Sequence, residues 1–251
     1  MVKYFQIKQW RGGPTVKWDE CLICGAPLEY SEETRTMKCA ICGKVEDGHS
    51  CCVNGHYVCD GCHSKGMAAM FSVCLGSDST NPYEIMLALM DLPNCHMHGP
   101  EHHILVGASL LTAYYNAGGK IGPKGKSLGE ALREIQTRGG KLPGSICGHW
   151  GVCGAAISAG MYMSIVTGSN PMKSKEWGLA NSLTGQINTA LGDQGGPRCC
   201  KRSSFEALRK AVAFTREHLE VDLELGYMPC PYSASNNHCQ KITCRFNPKN
   251  Q

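Results

Sequence analysis

A mainly α-helical domain behind a small metal-organised module is the fold class this sequence predicts. Three observations predict it. Cysteines crowd the first 65 residues, helical apolar periodicity sets in only near residue 81, and strand-like stretches are confined to pieces such as KYFQIK and TRTMKC. The 251 residues suffice for one module and one compact domain, so the expected division is 1–65 for a zinc-binding module and 66–251 for a helical metal domain with a cysteine-rich C-terminal tail.

The module holds eight of the 17 cysteines together with His49, His56 and His63. Cys21-x2-Cys24 and Cys39-x2-Cys42 are two knuckles, each presenting two thiolates to one tetrahedral ion, which is the spacing of a zinc ribbon. A second group follows in CCVNGHYVCDGCH, where Cys52, His56, Cys59 and Cys62 have ligand spacing and Cys51 or His63 could substitute. Two structural zinc ions are expected. The order of four ligand pairs resembles the cross-braced modules of the RING type, although sequential pairing satisfies the spacing equally well.

Helices follow in order. Pro82 sits at a first-turn position of PYEIMLALMDL; EHHILVGASLLTAYYNA is an apolar helix stopped by Gly118 and Gly119. Ser127 and Glu130 have capping-box spacing ahead of LGEALREIQTR, and Ser203 and Glu206 repeat it ahead of FEALRKAVAFTREHL. Between them CGAAISAGMYMSIVTG is rich in small residues, so its helix can approach a neighbour closely. About six helices are expected.

Composition narrows the function. A net charge of +4 with scattered basic residues lacks the basic stripe of a dedicated nucleic-acid binder. The start has no signal-peptide core and no stretch reaches the roughly 18 apolar residues of a membrane span, so a cytoplasmic protein is expected. In a reducing compartment so many thiols point to metals rather than disulfides, and to an anaerobic setting. GGKIGPKGKS is not a phosphate loop, since five residues separate Gly119 from Gly125, and neither G-x-G-x-x-G nor CxxxCxxC occurs.

Two constellations on the helical body carry the chemistry. Cys147 and Cys153 flank a glycine-rich turn at a helix start, and Cys199 and Cys200 lie one turn before the helix expected at Ser203, with Arg198, Lys201 and Arg202 beside them. Helix dipoles and cations favour thiolates and anionic groups there. In CHMHGPEHH, His98 and His102 are four apart and could face one ion or move a proton if the helix began at Gly99. In the tail Cys230, Cys239 and Cys244 could bind zinc or a cluster, with His238 as a candidate fourth ligand.

MHGPEHH, CGHWGVCGAA, EWGLAN and GGPRCCKR give the chain from about residue 20 onward a resemblance to an uncharacterised anaerobic archaeal and clostridial family, whose domain also occurs joined to radical-SAM or methyltransferase domains. CGAAISAG resembles the glycine-alanine turn of the C-GCAxxG-C-C proteins, and the layout from Cys147 to Arg202 resembles iron-sulfur L-serine dehydratases and cysteine desulfidases. The lyase resemblance implies a cluster, [4Fe-4S], held by Cys147, Cys153 and Cys199 or Cys200 with one iron open to substrate. Their downstream cysteines lie farther apart than Cys199 and Cys200, so one of these two is expected to act instead as a sulfur carrier or redox thiol.

The function expected is therefore that of an iron-sulfur enzyme acting on a small thiol or hydroxy acid, or transferring sulfur. Arg198 would fix an anionic substrate, and His98, His102 and Cys200 would do the chemistry. The alternatives are a sulfur or electron delivery partner of radical-SAM or methyltransferase enzymes, and a zinc-based module binding protein or RNA.

Overall fold

The computed structural model of the protein describes residues 26, 28–40, 43–59, 67–93 and 95–250. It divides into two compact units, Met1–Ser64 and Lys65–Gln251.

In the first unit β1 (Leu28–Lys38) and β2 (Val45–Cys52) pair antiparallel, from Leu28 opposite Cys52 to Lys38 opposite Val45, with a register irregularity between Tyr30 and Arg35. TRTMK lies in β1, whereas KYFQIK is outside the described residues. A bridge joins Cys39 to Tyr57, and Cys39, Tyr57 and Cys59 form a small buried cluster. Among the described residues this is a small core, and a unit of this size commonly needs metal to stay folded.

The second unit is helical. Its elements are α1 (Met67–Leu75), α2 (Pro82–Met90), α3 (His102–Asn116), α4 (Leu128–Gly139), the single turn α5 (Ile146–His149), α6 (Gly154–Thr167), α7 (Ser174–Gln194) and α8 (Cys200–Leu219), followed by a tail with two short 3-10 turns. The α3 helix is buried from His102 to Tyr114 and packs against α2, α4, α6 and α8, so it is the centre of the core.

Local chemistry explains most boundaries. Asn81 caps α2, its side chain accepting the Tyr83 N–H, and Pro82 follows where a missing N–H costs nothing. The capping box at Ser127 and Glu130 is complete. Leu128, Ala131, Leu132 and Ile135 form one buried face of α4. The small residues of α6 allow close approach on both sides: Ser158 Oγ accepts the Gly107 N–H of α3 at 2.9 Å, and a Cβ on Gly160 would overlap Thr184 of α7.

Three expectations change. The described residues contain eight α-helices where about six were expected, because α1 and α5 are short and the thin stripe of α7, Leu179, Leu183, Ile187 and Leu191, lies among polar and small residues. The α8 helix opens at Cys200, not at Ser203. Cys199 is its N-cap and its sulfur accepts the Arg202 N–H, so Ser203 and Glu206 lie inside the helix and make no capping box. Finally, α3 starts at His102, which leaves His98 outside the helix.

Candidate metal centre and adjoining thiol groove

At the opening of α8, Cys199 lines both an inner cavity and an outer groove, whereas Cys200 lines the groove alone. Cys199 is buried and Cys200 half-buried. On the inner side Cys199 joins Cys230, Cys239 and Cys244 around a small, nearly closed cavity, together with Arg202, Tyr232, Asn236 and Gln240. On the outer side lies an open groove of about 670 Å³ lined by Cys147, Cys153, Cys199, Cys200, His149, Arg198, Arg202 and Asn188.

Backbone N–H groups two or three residues further along face the sulfurs of the inner ring. Arg202 N donates to Cys199 at 3.4 Å and Lys241 N to Cys239 at 3.3 Å. The backbone N–H groups of Tyr232 and Phe246 stand near enough to Cys230 and Cys244 to favour their ionised forms. Asn236 Nδ2 gives Cys199 a second donor at 3.3 Å. A neutral thiol is a weak acceptor, whereas a thiolate is a strong one, so a ring of sulfurs faced by N–H groups suits anions.

Charge points the same way. Arg202 is only 5% exposed and donates Nη2 to the carbonyls of Gly195 and Pro197, but its Nε and Nη1 have no hydrogen-bond partner. An orphaned guanidinium is costly unless negative charge lies beside it, and Arg202 does favour the ionised form of Cys244. Burial, then repulsion from the neighbouring thiolates, pushes Cys230 up to about 11, and burial moves Cys244 in the same direction. Burial opposes thiolates at Cys230 and Cys244 unless a cation lies between them, and four sulfurs around one cavity are a donor set that fits a metal. Among the described residues no three Cys, His, Asp or Glu side chains gather tightly enough to hold a bare ion, so the thiols ring the cavity rather than meet at its centre.

The tail has almost no regular structure and is fastened at this ring. Cys230 N donates to Phe246 O, Gln240 Nε2 reaches the Gly196 carbonyl at 2.8 Å, and Arg245 reaches the buried Glu206 of α8 at 3.4 Å. His238 does not line the ring; it stacks 5.5 Å from His98.

In the groove, Gly151 has a positive φ of 68° that turns the chain between α5 and α6, so that Cys147 and Cys153 both line it. Cys153 is the N-cap of α6, and its N–H goes to Asn188 Oδ1 of α7 at 3.0 Å. Burial pushes Cys200 up to about 11, against the Gly99 backbone N–H near its sulfur; Cys153 is near enough to add to that rise and Arg198 to oppose it.

Both histidines are engaged. His98 Nδ1 accepts the Cys200 N–H at 3.4 Å, and Nε2 donates to Asn236 Oδ1 at 3.2 Å. A continuous hydrogen-bonded path thus runs from Cys200 through His98 and Asn236 to Cys199. Burial lowers His98, and it holds His102 down at about 3, with Lys201 adding to the effect. His102 Nδ1 donates to Gly99 O at 3.0 Å, and Nε2 faces Cys95 Sγ at 3.9 Å. Lys201, 2% exposed, also donates to Cys95, at 3.5 Å, and lies over the Tyr232 ring. Neither histidine offers a free basic nitrogen to the groove.

The model of a family of unknown function, DUF5714, matches residues 70–247. The chain belongs to this family. The DUF5714 match takes in both the thiol ring and the groove, while the first unit lies outside it. No curated protein and no solved structure matches the chain.

Of the front ligands, Cys21, Cys24, Cys42 and Cys62 lie outside the described residues. The Cys59 N–H donates to Cys39 Sγ at 3.4 Å, joining the second and fourth ligand pairs. Cys52 Sγ accepts the His56 N–H at 3.3 Å and lies 3.6 Å from His56 Nδ1. The tail cysteines were visible in the sequence, but their partnership with Cys199 was not, because thirty residues separate Cys199 from Cys230 and no short spacing links them. Asn236, Arg202 and Gln240 also gave no signal as parts of a ring. His149, between Cys147 and Cys153, could have been singled out on position alone.

Proposed function

We propose that this protein is an iron-sulfur protein whose cluster is held by Cys199, Cys230, Cys239 and Cys244 and serves an adjoining groove that takes a small thiol or anion. The observation that carries this reading is the ring of four cysteines, three buried and Cys239 half-buried, with backbone N–H groups donated to Cys199 and Cys239 and the unpartnered Nε and Nη1 of Arg202 beside it. Thirty residues separate Cys199 from Cys230, and Cys230-x8-Cys239-x4-Cys244 lacks the C-x2-C knuckles of the first unit; four such separated thiols suit a cluster, where each sulfur bonds a different iron. When bound, the cluster would supply electrons or Lewis acidity at the wall of the groove. Arg198 would hold the anion, while His98 and Asn236 would position the wall and His102 the Cys95–Lys201 pair, rather than carry protons.

This reading moves the cluster inward from Cys147 and Cys153, which stay in the groove as thiols. The matching experiment compares the iron content of single variants purified without oxygen. Cys230→Ser and Cys239→Ser should lose iron and visible absorbance; Cys147→Ser and Cys153→Ser should keep both. The reverse pattern would return the cluster to the groove.

A second reading follows from the size of the ring cavity, which at about 10 Å³ has room for one water-sized sphere. That favours a single zinc ion fastening the tail, once the thiols close on it. For the first unit we propose two structural zinc ions in cross-braced order, supported by the contact of Cys59 with Cys39 and by the Cys52–His56 pair.

A further inference from the structure

We propose that Cys153 and Cys200 form a redox-active dithiol that reduces small anionic disulfides in the groove. The inference rests on the groove being the substrate site and not on which metal the ring holds. Both thiols line the same open groove, one at the N-cap of α6 and the other at the first position of α8, and these two helices pack together. The two helix starts present positive dipole ends and N–H groups to the same space. The exposed Arg198 lies two residues from Cys200 and lines the same groove, where a carboxylate of the substrate can pair with it.

In the first step the Cys153 thiolate attacks one sulfur of the substrate R–S–S–R′, forming Cys153–S–S–R and releasing R′–S⁻, which takes the proton lost by Cys153. In the second, Cys200 gives up its proton and attacks the Cys153 sulfur, forming Cys153–S–S–Cys200 and releasing R–SH. The protein dithiol is oxidised by two electrons, and the substrate disulfide is reduced to two thiols. An external dithiol returns the pair by the same exchange in reverse. Cys147, exposed on α5, lines the groove but stands outside this pair.

The test uses the full chain, purified without oxygen with its metal content measured, and glutathione disulfide as the probe. After incubation, acid quenching and alkylation of free thiols, peptide mapping should find a Cys153–Cys200 disulfide that disappears on treatment with dithiothreitol. Cys200→Ser should stall as a glutathione adduct on Cys153, and Cys147→Ser should behave as the parent. Independent glutathione adducts on Cys153 and Cys200 with no bridge, or a bridge from either to Cys147, would overturn the pairing. Because bridging is read in the parent protein, a variant that fails to fold leaves the test decisive. Bridging without iron would sink the cluster and keep the dithiol, and iron without bridging the reverse.

Discussion

Asn236→Asp tests whether the ring carries negative charge. The substitution keeps size and the Oδ1 acceptor for His98 and the His238 N–H, but it removes the N–H donated to Cys199 at 3.3 Å and puts a carboxylate there. Losing a hydrogen bond to a charged sulfur costs roughly 1.5–3 kcal/mol. Repulsion between a carboxylate and a thiolate at that separation is on the order of 5 kcal/mol at an effective dielectric of about 20. The new carboxyl escapes by keeping its proton, which restores a donor; holding Asp protonated at pH 7 against a reference near 3.9 costs about 4 kcal/mol. The penalty at pH 7 is therefore about 3–4 kcal/mol, or roughly 8–12 °C in Tm for a unit of this size.

The sign with pH follows. A folded Asp value raised above its unfolded one means that the folded state binds the extra proton, so the penalty relative to parent fades as pH falls towards 4. Asn236→Ala loses the same donor without adding charge, and its penalty should not vary with pH in this way. Thermal unfolding of parent, Asp and Ala variants across pH 4–8 is the assay. An Asp variant within about 1 kcal/mol of the parent at pH 7, or a penalty that is flat with pH, would refute the anionic ring.

Gly154→Ala should lower stability by about 1–3 kcal/mol, since the added methyl overlaps the His103 ring at the start of α6; unchanged unfolding would mean that the contact relaxes freely. Glu206→Gln leaves Arg209 and Arg245 without the carboxylate that joins α8 to the tail, so proteolysis should release the tail faster while α8 survives. For pH, His102 is held near 3, below its usual 6.5, so the unfolded state binds the extra proton and stability should fall as pH drops from about 6.5. His102→Gln should remove that part of the acid slope, and an unaltered slope would place it elsewhere.

The helical body was legible where a pattern is local. Asn81 with Pro82, the Ser127–Glu130 box and the apolar run of α3 all announce themselves within a turn or two. The α7 helix was less so, because its apolar row of Leu179, Leu183, Ile187 and Leu191 is one residue wide and set among polar and small positions such as Thr184. At α8 a cysteine took the capping role usually held by Ser, Thr, Asp or Asn, and Ser203, four residues downstream, formed a decoy box with Glu206. The groove was foreshadowed by Cys147 and Cys153, each beside a glycine, and by Arg198 and Cys200 ahead of the helix expected at Ser203. The ring was not, because it needs the tail to fold back onto α8, and long-range closure leaves no mark in spacing. Among the described residues no helix is long and apolar enough to cross a membrane.

Iron, zinc and acid-labile sulfide per chain, measured on parent protein purified without oxygen, test the central claim most directly. The account predicts iron and sulfide at about four each, with about two zinc ions from the first unit. About three zinc ions with neither iron nor sulfide would contradict the cluster and leave the ring as a structural staple, and a ring free of any metal would contradict the account of the site altogether.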